Sequence, residues 1–342
     1  MFAMRHILGI TLAIAGLLCA EMGFGAEPDR VAKWLGEQNW VRDSELPVVS
    51  LGAAGDFDDT HIFAPCVAKE NGGYRLWYCG SRGSVAERVF RLGLATSDDG
   101  VRFEKFGGSP VFGFGDGQHS VLTPTLLRAA DGGVLRENGK LRMWFSATHF
   151  SGGSGLHTLH ETISADGVRW AKPSAAQLEH VYAPTILKEG PVYHLWYTDV
   201  SEEPWRFRYG RSSDGRKWAV RDEAVMLVDQ GWEKGRLFYP TVLKADGVYL
   251  MWYGSYWSAE SNKTAIGFAV SGDGVHWRKH PGNPVFRPDA KRAWESHYTT
   301  SQSVIREADG RFRIWYASRK APPFENKYFA IGTARWTGRE DR

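Results

Sequence analysis

Cysteine is scarce in this chain, with 3 in 342 residues. That excludes a disulfide-stapled scaffold and any Cys-rich metal module. Net charge is also small, +3, and no basic block is present, which argues against a nucleic-acid partner. Apolar runs are short. The longest, Ile7 to Ala20, follows Arg5 and His6 and falls short of a membrane span. With Gly23 and Gly25 after it, the stretch 1–25 reads as a secretory signal, so the mature chain is expected to be exported, periplasmic or extracellular, without a membrane span. Cys66 and Cys79 fall on one hairpin and read either as a bridge or as two small buried side chains.

What the chain does have is aromatic residues, 15 of them Trp, and most recur in one phrase. Five strands end in Trp and an aromatic: Leu76-Trp77-Tyr78, Met143-Trp144-Phe145, Leu195-Trp196-Tyr197, Met251-Trp252-Tyr253 and Ile314-Trp315-Tyr316. Ahead of four stands a proline (Pro65, Pro124, Pro184, Pro240), and Gln302 holds the fifth place. After four comes Ser-x-Asp-Gly-x-x-aromatic, as in Ser164 to Trp170 and Ser271 to Trp277. In that turn Ser and Asp bond nearby backbone N–H groups and Gly takes a positive φ. A three-strand unit repeated five times predicts an all-β, five-bladed β-propeller with an axial pocket.

The expected layout is an N-terminal segment over 26–43, a propeller over 44–336 and a tail over 337–342. The blades fall near 58–115, 118–178, 179–228, 235–288 and 295–336. A fourth strand is expected at Pro-Val-Phe phrases such as Ser109 to Phe112 and Asn283 to Phe286. Blade five lacks one, and Leu46-Pro47-Val48-Val49 offers it from the other end of the chain. The strand 46–51 is therefore expected to close the ring and cover an edge that would otherwise be unpaired.

Polar residues gather before the first strands and after the second strands. These are Asp58, Asp59 and His61; His119; Glu179 and His180; Glu233 and Arg236; Glu295, His297 and Tyr298; then Arg82, His149, Asp199, Tyr256 and Arg319. Asp58, Glu233 and Glu295 recur at one repeat position, each after an aromatic residue, which points to a shared structural task as readily as to chemistry. Glu161 stands where other blades carry apolar residues or Tyr209. There it needs a cation, or its pKa rises. Trp205, Trp232, Trp257 and Trp294 lie outside the repeats and offer stacking platforms.

The Trp-Tyr and Ser-x-Asp-Gly-x-x-Trp pattern over 45–336 resembles the five-bladed glycoside hydrolases of families 32, 43, 117 and 130. The resemblance implies a carbohydrate substrate and acids drawn from different blades around the axis. It does not supply the acids by position: Ala64-Pro65 and Tyr182-Ala183-Pro184 stand where family 43 carries Asp-Pro and Glu-Gly-Pro, and the signatures of family 32 are absent. The expected activity is hydrolysis of a plant- or algal-type oligo- or polysaccharide, with Asp59 as base or nucleophile, Glu233 as acid and Asp199 as its tuning partner. His61, Arg82, His119, His149, His180, Arg236, Tyr256, Glu295, His297 and Arg319 are the expected substrate contacts. His180 and His297 are alternative acids. Phosphorolysis on the same scaffold, with the arginines on phosphate, and non-catalytic glycan binding are the rival readings. No cofactor is implied beyond a calcium ion at the pocket floor, with His297 as a ligand.

Overall fold

The computed structural model describes residues 27–84, 86–150, 155–258, 263–320 and 329–336. The expected signal over 1–25 and the tail over 337–342 lie outside them.

Each repeat folds as an antiparallel sheet. Blade one is His61–Glu70, Gly73–Ser81, Arg91–Ser97 and Glu104–Lys105; blade two is His119–Leu126, Leu141–His149, Thr158–Ser164 and Leu178–Glu179. Blade three is Val181–Glu189, Val192–Asp199, Arg206–Ser212 and Ala219–Val220, and blade four is Leu237–Ala245, Val248–Ser258, Lys263–Ser271 and Trp277–Lys279. Blade five is Tyr298–Arg306, Phe312–Arg319 and Ala330–Trp336. The first strand of each blade packs beside that of the next, and the fifth returns to the first. The result is a five-bladed ring.

The outer edge differs from expectation. In each of the first four blades two short pieces share the third strand. In blade one Glu104–Lys105 covers one end, while Phe112 bridges Leu92 at the other. In blade four Trp277–Lys279 and Phe286 do the same. The Pro-Val-Phe phrase is thus the second piece, not the whole strand. Blade five takes both pieces from the chain's beginning: Trp40–Arg42 pairs with Trp336 to Ala334, and Val49–Ser50 pairs with Ile331 and Ala330. Val48 and Val49 are buried with Phe57, Ile62 and Trp315. Deleting 44–51 removes at least those two side chains from the core, about 3 kcal/mol or more. The expected result is a lower melting temperature, and unchanged melting would rule out a latch.

The repeated turn joins blade to blade. Trp77, Trp144, Trp196 and Trp315 donate from the indole N–H to the carbonyls of Gly167, Gly215, Gly274 and Gly100 at 2.9, 2.8, 2.7 and 2.9 Å. Each acceptor belongs to the turn of the neighbouring blade. Its glycine is held at positive φ (+76° at Gly167), where a Cβ would also press on Arg75 and Trp77. Blade five has no such turn to offer blade four. There the aromatic side chains of the N-terminal segment substitute, and Trp40 meets Trp252 edge-on at 6.4 Å.

Five equivalent non-glycine residues sit in the left-handed region: Ala64, Thr123, Ala183, Tyr239 and Ser301, with φ of 52, 47, 48, 56 and 43°. Each falls at a bulge in the inner strand, immediately before a proline or Gln302. This conformation is costly for residues with a Cβ and persists only where packing enforces it. In four blades the residue before the bulge lines a wide cavity at the mouth, and all five strained residues line a narrow one on the axis.

Candidate active site

Two cavities lie along the axis. The narrow one, about 60 Å³, is lined by the five strained residues and the prolines beside them. The wide one, about 390 Å³, opens at the face where second strands end. Its floor comes from residues ahead of the bulges, Phe63, Leu122, Tyr182 and Phe238, with Tyr239 beside them. Its walls come from the connections between second and third strands, Arg88 and Phe90, Phe150 and His157, and Trp205, and from Tyr256 near the end of blade four's second strand. Arg236 and Thr264 complete the described lining.

The lining is aromatic and cationic. The Arg88 guanidinium lies over Phe150 at 4.1 Å and that of Arg236 over Trp205 at 4.4 Å. Arg236 also donates from Nε to Glu203 at 3.0 Å, on the exposed rim. The Tyr182 and Tyr239 hydroxyls are 2.5 Å apart, and the Tyr182 ring meets His157 at 5.0 Å and Trp205 at 6.0 Å. Burial raises the Tyr239 phenol well above its ordinary range and lowers His157 to about 4, so the imidazole is neutral near pH 7. No carboxylate belongs to the described lining.

Of the residues expected to bind substrate, Arg236 and Tyr256 line this pocket. The three recurrent acids are elsewhere, tied inside their own blades. Asp58 accepts from the Tyr78 hydroxyl at 2.8 Å and from Lys105 at 2.6 Å. Glu233 accepts from Tyr253 and from Lys279, both at 2.8 Å, and from the Asp229 and Gln230 amides. Glu295, fully buried, is held by Tyr316 and Arg42, yet burial still keeps its carboxyl above the usual range. The aromatic residue preceding each acid packs on the same tyrosine: Phe57 on Tyr78, Trp232 on Tyr253, Trp294 on Tyr316. Glycines oppose those tyrosines, because a Cβ at Gly93, Gly267 or Gly332 would come within 2.5, 2.6 or 2.6 Å of the stacked rings. The shared task is therefore to bind an acid to the blade's own tyrosine and to an outer-edge cation, not to a neighbouring blade's backbone. Glu233, expected as the catalytic acid, thus sits in such a slot and not in the described lining of the pocket.

The remaining candidates are dispersed. Asp59 accepts from the Gly55 amide and the Thr60 hydroxyl, both at 2.9 Å, in a loop outside the pocket, and the Gly55 bond in particular lowers its pKa. Asp199 is enclosed by Arg208 at 2.7 Å and Arg206 at 3.2 Å. Burial alone would raise its carboxyl, but the bonds from Ser201 and Arg208 prevail and lower it. His61 lies one layer behind the wall, its ring 5.7 Å from Phe90 and its Nδ1 2.8 Å from the Ser81 hydroxyl. His119 pairs with Asp116 at 2.5 Å and faces His149 across the strands. His180 is an exposed turn residue at φ 60°, and Arg82 an exposed loop residue. His297 packs beside Tyr298, over whose ring Arg319 lies at 3.4 Å. Glu161 has its cations: Arg142 at 2.8 Å and, from the next blade, Arg216 at 2.9 Å.

Cys66 and Cys79 are buried free thiols, and burial raises both. Among the described residues no three His, Cys, Asp or Glu side chains converge as a metal site.

Sequence reasoning missed Arg88, His157, Tyr182 and Tyr239. A signal for the two tyrosines existed. They occupy the two positions before Pro184 and Pro240, where most other blades carry Phe, Leu, Ala, Thr or Ser.

Known proteins share this architecture. A structure described as a glycoside hydrolase superposes with a TM-score of 0.67 at 16% identity, covering 88% of this chain and 94% of that one. A member of glycoside hydrolase family 130, described as mannoside phosphorylases that include hydrolases of β-1,2 mannosidic linkages in Candida mannan, gives 0.67 at 15%, over 90% and 96%. The fold is that of the propeller glycoside hydrolases. An N-acetylgalactosamine deacetylase in complex with blood group B trisaccharide also matches, with a TM-score of 0.63 at 16% identity, over 87% and 94%. Two proteins from Mycobacterium tuberculosis strains, both described as uncharacterized, are 24% identical over 239 residues, 66% of this chain and 76% of theirs. No family model matches the chain.

Proposed function

We propose that this protein cleaves a glycosidic bond in an oligo- or polysaccharide held in the central pocket, outside the cytoplasm. The observation carrying this is the aromatic lining of the ≈ 390 Å³ cavity, to which Trp205, Tyr182, Phe150 and Phe90 contribute. Concave, mostly apolar sites with a few convergent polar groups are how proteins enclose small ligands. The C–H faces of a sugar ring suit such walls, and its hydroxyls suit the arginines and tyrosines. The fold shared with glycoside hydrolases and a phosphorylase family supports the same class of substrate. The signal-like stretch over 1–25 supports export.

The absence of a carboxylate from the described lining favours a second reading, a propeller that binds glycan without altering it. Incubation with a panel of polysaccharides separates the two, because only cleavage releases new reducing ends. Trp205→Ala is expected to raise KM, or Kd for a bound fragment, about tenfold, equivalent to about 1.4 kcal/mol. Glycans returned intact, with equal affinity in the variant, would remove the proposal.

A further inference from the structure

Among the described residues, the lining of the pocket does not carry the groups of the usual two-acid hydrolysis. That chemistry needs one carboxyl to protonate the leaving oxygen and another to activate water or attack the sugar. Arg88, Arg236, His157, Tyr182, Tyr239 and Tyr256 stand there instead. Two guanidiniums in an aromatic wall, that of Arg236 paired with the exposed Glu203 at the rim and able to exchange it for a ligand anion, favour a ring that carries negative charge. A sugar with a carboxylate at the carbon next to the ring oxygen has such a charge, and it has a second property. Once a cation neutralises the carboxylate, the hydrogen on the adjacent carbon becomes acidic enough for a side-chain base to remove.

A base and an acid are both in place. The Nδ1 of His157 is buried and has no hydrogen-bond partner among the described residues. Its imidazole packs against Tyr182, whose hydroxyl is 2.5 Å from that of Tyr239. Arg236 adjoins the same group, since Trp205 touches both Arg236 and Tyr182.

Resting on the reading that the pocket takes a glycan, we propose that the substrate is a uronate-bearing polysaccharide and that the pocket breaks it by β-elimination. Arg88 and Arg236 hold the uronate carboxylate. His157, in the tautomer protonated at the buried Nδ1, takes the hydrogen from the neighbouring carbon onto Nε2. The electron pair of that C–H bond forms a carbon–carbon double bond, and the bond to the glycosidic oxygen breaks. The oxygen leaves with its electron pair and receives the Tyr182 proton. The imidazolium then returns a proton to the tyrosinate, so no water, phosphate or oxidant is consumed.

The test incubates the full chain with polygalacturonate, alginate and hyaluronan, and with neutral arabinan and mannan. Two signals are followed: reducing ends, and the ultraviolet absorbance of the conjugated double bond. The expected result is that both rise together on a uronate polymer and neither rises on a neutral one. Tyr182→Phe and His157→Gln should each lower kcat about 100-fold or more at unchanged melting temperature, while Arg236→Gln should mainly raise KM. One tyrosine and one histidine variant are used so that misfolding of one leaves the other decisive. Reducing ends without the double bond, or cleavage of a neutral polymer, would overturn elimination and leave the glycan-cleaving reading standing. No cleavage of any polymer would overturn both, and full turnover by a folded Tyr182→Phe would overturn the assignment of the acid.

Discussion

Replacing Glu233 with alanine is expected to destabilise the fold by about 3–5 kcal/mol, the cost of leaving one member of a buried ion pair alone. Its removal strands the Tyr253 hydroxyl and withdraws one of the carboxylates around Lys279, whose side chain is 7% exposed. The Asp229 and Gln230 amides lose their acceptor as well. Chemical denaturation should therefore show an earlier midpoint, while kcat per folded molecule stays near that of the parent. An unchanged midpoint with lost turnover would instead return Glu233 to the chemistry. Glu295, with its tyrosine and its arginine, should behave in the same way.

A second large effect is expected at Arg142. Its Nε bonds Glu161 at 2.8 Å, Nη1 bonds Glu137 at 2.6 Å and the Tyr193 hydroxyl at 2.9 Å, and Nη2 bonds the Asp214 carbonyl of the next blade at 3.0 Å. The guanidinium also lies over Trp144 at 4.6 Å. Arg142→Met keeps the side-chain volume but leaves Glu161 beside Arg216 alone, so a loss of about 3–5 kcal/mol is expected. The same network predicts an acid limb. Burial by itself would raise Glu137, but bonds from Lys188, Tyr193 and Arg142 outweigh it and hold the carboxyl down at about 2. A folded pKa below the unfolded value means stabilisation that is complete above the ordinary carboxylate range and is lost as pH falls toward about 2. Melting temperatures between about pH 5 and about pH 2 should fall less steeply in Arg142→Met than in the parent. Parallel slopes would contradict the role given to Arg142.

Where the carboxylates point was not legible in the sequence for a physical reason. An acid placed before an inner strand has the same sequence context whether its side chain turns to the axis or folds back under its own blade. At Asp58 and Glu233 the choice was made by groups distant in sequence. A tyrosine in the second strand, a glycine opposite it in the third and a lysine at the outer edge together form a slot that fits an acid. Glu161 was read more closely. A carboxylate in a largely apolar register needed a cation, and Arg216 from the next blade is one of its two partners.

What the amino-acid order determined by itself is the repeated unit: strands ended by Trp-Tyr, turns built from Ser, Asp and Gly, and the count of five. Those depend on interactions within a few residues or on a recurring register, and each copy reports the same rule. The pocket was decided only by the tertiary structure. Its described lining takes two or more residues from each of four blades, most of them placed by the left-handed bulges of the inner strands and by the connections after the second strands. No local pattern encodes which of those residues converge, because ring geometry, not neighbouring sequence, brings Arg88, His157, Tyr182 and Arg236 to one axis.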